Sequence, residues 1–138
     1  VDSFFRTSKS GVFAVGNILR GAEKSDDVAI EARTAAIGIR NFLAKSEWPQ
    51  QRLDIKVSDF IEWVSPNAIT ELDALGVQPF LFRVKSFHRS ATLVVRQGDT
   101  VLYQKKYRNL TPNLSVKIHP QWIGTVKYDG NEVQIQLS

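Results

Sequence analysis

The hydrophobic positions along the chain change period once. Val28, Ala32, Ala35, Ala36, Ile39 and Leu43 recur at helical spacing. Asp26 and Asp27 precede them, where acidic side chains favour the positive end of a helix dipole. The pattern predicts one amphipathic helix over about 27–44, with Gly38 beside an Ala-rich inner face that can approach a neighbouring backbone closely. Around "SEWPQQR", Ser46 to Arg52, this pattern stops at Pro49 and the period becomes two.

Downstream, "FLFRVKS" puts Phe80, Phe82 and Val84 on one face and Leu81, Arg83 and Lys85 on the other. "ATLVVRQ" likewise turns Leu93 and Val95 inward. Gly98-Asp99 reads as a two-residue hairpin turn, and Asp129-Gly130 as a turn before Val133, Ile135 and Leu137. With "LDIKV" (Leu53 to Val57) and "LSVKI" (Leu114 to Ile118), about six or seven short strands are expected. The fold class is therefore read as mainly β with one long helix (α+β), the strands forming an antiparallel, immunoglobulin-like β-sandwich over 51–138. Upstream of the helix, the apolar run Val12 to Val15 reads as a buried strand ending at Gly16-Asn17.

At 138 residues, 43% hydrophobic and 23% charged, the chain can bury a core. It has no Cys, which removes disulfide and thiolate-metal chemistry and fits a reducing compartment. No signal segment opens it, and no apolar run approaches the ~20 residues of a membrane span. A soluble, cytoplasmic chain is expected. It has no Met, so a piece of a longer protein is expected too.

Few residues offer chemistry on their own. His88 and His119 form neither a ligand pair nor a triad with anything at recognisable spacing, and read as solvent-facing strand histidines. Asp26-Asp27 reads as a helix start rather than an acid/base pair. Asn109-Leu110-Thr111 and Asn113-Leu114-Ser115 match the glycosylation acceptor pattern but read as turn residues around Pro112. Between Arg83 and Arg108 stand seven Lys or Arg against one acid, Asp99, with Phe87, Tyr103 and Tyr107 interleaved. Such a stretch can meet a polyanion. Strand patterning alone also puts charges on an outer face, where Lys guards edges. The solvated face is the favoured reading, and nucleic acid is not the expected partner.

The order Thr7-Ser8, Gly11, Val12 to Val15, Gly16-Asn17, then a loop and a helix from Asp27, resembles the last part of the flavin-binding domain in FAD-dependent pyridine-nucleotide oxidoreductases. The resemblance covers about the first 45 residues, so 1–48 would be the closing strand-loop-helix of an FAD domain and 51–138 an appended domain. It implies flavin contacts from Gly16, Asn17, Asp27 and Val28, with FAD as cofactor and NAD(P)H as co-substrate of the parent protein. The family usually has Asp where this chain has Asn17; an amide still hydrogen-bonds but carries no charge. The Gly-x-Gly-x-x-Gly units that hold the dinucleotides in this family do not occur in the chain. By analogy, the appended domain would serve homodimerisation or the docking of an electron-acceptor protein. The alternative is a non-enzymatic β-sandwich interaction module with a basic face.

Overall fold

The period-two segments resolve into two β-sheets enclosing one core. The computed structural model describes residues 1–21, 23–73, 78–129 and 131–138. Its strands are β1 (Arg52–Val57), β2 (Ile61–Ser65), β3 (Ala68–Thr70), β4 (Phe80–Val84), β5 (His88–Gln97), β6 (Thr100–Leu110), β7 (Val116–Ile118) and β8 (Val133–Leu137). One sheet has the order β3-β1-β8-β5-β6, the other β2-β4-β7.

Alternation decides which side chains meet between the sheets. Leu93 and Val95 of β5 sit opposite Leu137 and Ile135 of β8, and all four are buried. Phe80, Phe82 and Val84 face them from β4, each at most 1% exposed. Trp122, on a 3₁₀ helix at Pro120–Thr125, tilts against Phe80 at 5.1 Å. Tyr107 meets Phe82 edge-on at 5.5 Å, and its hydroxyl donates to the Lys117 carbonyl at 2.8 Å. That bond ties the edge strand β6 to β7 of the other sheet. Aromatic pairs of this kind add to the area they bury.

Several expectations need correction. The sheets are not wholly antiparallel: β1 and β8 run parallel, with Ile55 opposite Val133 and Val57 opposite Ile135. A parallel pair needs a long crossover, and here nearly the whole body lies between its two strands. β2 and β3 had no clear sequence pattern; they flank the cis peptide Ser65-Pro66. "LSVKI" is a strand only over Val116–Ile118. The Gly98-Asp99 turn joins β5 to β6 with Gln97 opposite Thr100, whereas Gly130 of the Asp129-Gly130 turn lies outside the described residues.

Val12 to Val15 is not a buried strand. Its one ladder contact is the Arg6–Phe13 bridge, flanked by Thr7 N–H to Val12 O at 2.9 Å and Ala14 N–H to Phe5 O at 3.0 Å. Val12 is 41% exposed. Among the described residues this short hairpin adds no strand to either sheet, although the Arg6 side chain reaches Thr70 of β3, and Phe13 packs on the rings of Phe42 and Trp48 at 6.3 and 5.3 Å.

Two α-helices follow, α1 (Asn17–Arg20) and α2 (Ser25–Lys45). Only part of the expected Ala-rich stripe forms the inner face of α2, Ala35 buried and Val28 half-buried. Glu31, Thr34, Ala35 and Gly38 are buried, while Ala32, Ala36, Ile39 and Leu43 are exposed, Leu43 at 75%. Gly38 explains the rotation. A Cβ there would stand 2.9 Å from the Phe4 carbonyl oxygen and 3.2 Å from the Phe13 ring, so the helix approaches the N-terminal turn along its one bare position. The start of α2 also lies against the outer face of the β2-β4-β7 sheet. Leu81, expected on an outward face, is therefore buried next to Ile30 and Glu31.

Candidate functional site

The turn between the N-terminal hairpin and α2 is built on two positive-φ glycines, Gly16 at 74° and Gly21 at 75°. A side chain is strained at such φ, so the turn depends on these positions being glycine. A Cβ on Gly16 would also come within 3.2 Å of Val28 Cγ1. Of the four expected site residues, Gly16 and Val28 are thus brought into contact. The Val28 N–H is already used, donating to the Lys24 carbonyl at 3.1 Å.

Asn17 opens α1 and is exposed, and its side-chain amide makes no hydrogen bond among the described residues. Asp27, in the first turn of α2, places its carboxylate 3.4 Å from Lys117 Nζ on β7. No side chain caps the start of α2. The arrangement therefore presents a free amide and an uncapped helix start, groups able to hydrogen-bond oxygens of a ligand.

Behind this turn lies a buried charged clasp that the sequence reading missed. Arg20, its side chain 2% exposed, donates to Glu31, approaches Glu23 at 3.5 Å and donates to Ser65 of β2 at 3.2 Å. Its guanidinium lies 5.2 Å from the Trp63 ring centre, and that of Arg83 lies 5.0 Å from the same ring. Glu23 is 3.7 Å from Arg83 and accepts a hydrogen bond from Ser115. Burial works against the charge of Glu23, but hydrogen bonds from Ser115 and from the Lys24 backbone, and then the two arginines, outweigh it and hold the carboxyl below its ordinary range. Burial wins at Glu31, which sits above its ordinary range despite the Arg20 hydrogen bond and a further one from the Gly16 backbone. One Glu31 oxygen, Oε2, has no partner among the described residues. The clasp joins the turn to the outer face of the smaller sheet. Glu31 was detectable in sequence, since it shares a helical stripe with Thr34, Ala35 and Gly38 rather than with the charged face.

A second buried cluster ties down the chain start. Asp2 accepts from the Phe4 and Arg6 amides at 2.9 and 3.0 Å and from Arg6 Nε at 2.6 Å. Arg6 also donates to Thr70 Oγ1 and Asp73 Oδ1, both at 3.1 Å. Burial, and then the nearby Asp2 charge, push the Asp73 carboxyl up to about 6.

The remaining candidates scatter. Gln121 N–H donates to His119 Nδ1 at 3.4 Å, starting the 3₁₀ helix, and His88 lies 5.7 Å from the Phe60 ring. Asp26 is exposed in the first turn of α2. Among the described residues no group of three or more His, Cys, Asp or Glu could hold a metal ion, and no helix is long and apolar enough to cross a membrane.

No family model, curated protein or solved structure matches this chain.

Proposed function

We propose that this chain is the C-terminal part of an FAD-dependent NAD(P)H oxidoreductase, with residues 1–48 closing the flavin domain and the two-sheet body serving dimerisation or docking of an electron-acceptor protein. The observation that carries the reading is the uncovered stripe of α2: Ala32, Ala36, Ile39 and Leu43 are exposed although they form its most regular apolar face. A helix with small residues along an apolar stripe is suited to lie close against another backbone, here the missing sheet of the flavin domain. A proposal of an immunoglobulin-like body belongs to the same reading, supported by two sheets of short strands around the aromatic centre at Trp122.

The residues present fit a flavin. Asn17 would donate to a ribityl or phosphate-side oxygen, having no other partner among the described residues. The Asp27 N–H, in an uncapped first turn, would meet the pyrimidine edge where negative charge gathers on reduction, while the Asp27 carboxylate stays on Lys117. Gly16 and Val28 would act through shape, Gly16 allowing the turn and Val28 packing beneath it. FAD supplies the hydride acceptor; this chain's share is to orient and partly desolvate it.

The test is Asn17→Leu in the full-length parent. The substitution removes the amide and crowds its surroundings, so the dissociation constant for FAD should rise by roughly 10-fold, the loss of one polar contact. An unchanged affinity would remove Asn17 from the site.

A further inference from the structure

The fold sorts the basic stretch Arg83 to Arg108 into separate roles. Arg83 belongs to the clasp, and Lys105 reaches over the Tyr107 ring at 5.1 Å. Arg89, Lys106 and Arg108 instead surround an open depression of about 820 Å³ that also meets Phe87 and His88. None of the three cations forms an ion pair among the described residues.

Beside them stand apolar groups that the core does not use. Phe87, in the loop from β4 to β5, is 60% exposed, and Phe60, in the turn from β1 to β2, is 53% exposed. The two tips are neighbours: Lys85 N–H donates to the Phe60 carbonyl at 3.0 Å, and Phe60 packs edge-on against His88. Val57, at the end of β1, adds a third partly exposed apolar side chain at the same end. Lys85, Arg89, Lys106 and Arg108 outnumber the acids near the tips, Asp59 and Glu62.

The geometry points to this end of the body as a docking surface for an anionic lipid membrane, with Phe60 and Phe87 entering the headgroup region and Arg89, Lys106 and Arg108 meeting lipid phosphates. Rings on projecting loop tips suit insertion into a soft interface, whereas a stacking site for bases holds its aromatics in a groove that tracks a strand. The cations supply the complementary charge, and stable attachment to a bilayer needs both signals together. The chain would then lie on a membrane without crossing it.

Co-sedimentation of the 138-residue chain with vesicles tests this, using phosphatidylcholine alone or mixed with phosphatidylserine. The chain should pellet with the mixed vesicles at low salt, release as salt approaches the point where the screening length falls below about 10 Å, and stay in solution with phosphatidylcholine alone. Arg89→Gln/Lys106→Gln/Arg108→Gln should weaken binding about 100-fold. Phe60→Ala/Phe87→Ala should weaken it at least about 10-fold. Both variants alter exposed positions, and thermal melts check that they fold; Phe87→Ser alone serves if the double variant does not. Absence of pelleting at low salt overturns the proposal. Unchanged vesicle binding by the phenylalanine variant also overturns it, and retention on heparin without vesicle binding would assign the cations to a soluble polyanion instead.

Discussion

Arg6 stands between two buried carboxylates with a single positive charge, and Asp73 is the one left short. Its carboxyl binds a proton at about 6 when folded, against an ordinary 3.8. Between those values the folded chain holds more protons than the unfolded chain, so this group's contribution to stability is complete below pH 3.8 and is lost as pH rises through 6. Its size is at most roughly 3 kcal/mol. Denaturant midpoints of wild type minus Asp73→Asn, followed from pH 4 to pH 7, should decline over that interval; a flat difference would contradict the environment assigned to Asp73. Phe82 presents a simpler case. It is fully buried between the sheets, so Phe82→Ala should cost about 3–5 kcal/mol. A change below about 1 kcal/mol in a denaturation analysis would take Phe82 out of the core.

At the scale of elements, α2 sets two opposing effects against each other at Gly38. Alanine inside a helix is favoured over glycine by about 0.8–1.0 kcal/mol. The added Cβ, however, would meet the Phe4 carbonyl oxygen at 2.9 Å, and backbone yields less readily than a side-chain tip. Overpacking of this kind costs about 1–3 kcal/mol, so Gly38→Ala should lower the thermal midpoint. A rise would show that the N-terminal turn is not held against the helix. The clasp is more sensitive. Arg20→Ala leaves Glu23 and Glu31 buried without their shared cation and should destabilise by about 3–5 kcal/mol in urea unfolding, while surface Arg33→Ala should change little. Period-two alternation made β4, β5 and β8 legible, because it is a local consequence of one buried face. The parallel placement of β1 beside β8 was not, because it is decided by which distant strands meet. Nor was the seating of α2: the Ala stripe marks its most apolar face, but Gly38 and Glu31 select the face that packs here. The Arg20 clasp was hidden because its members come from the turn, the helix and two strands, which sequence spacing does not bring together. Of the site residues, the Gly16 turn was legible from its glycine, while the Asp27–Lys117 pair depends on how the turn meets β7.

For the whole molecule, the turn and α2 are fastened to the smaller sheet by buried charges, yet the regular apolar stripe of α2 remains open. A helix anchored on one side and bare on the other can accept a further packing partner, and a flavin domain is the partner proposed for it. FAD would make most of its contacts with that domain; an amide and a helix start alone cannot offset the cost of fixing a long flexible ligand. The most direct test is the flavin bound per polypeptide, read from visible absorbance, in the purified full-length parent and in the 138-residue chain. About one FAD per parent polypeptide and none on the chain alone is the expected result. A parent without flavin, or a chain that binds it stoichiometrically by itself, would contradict it.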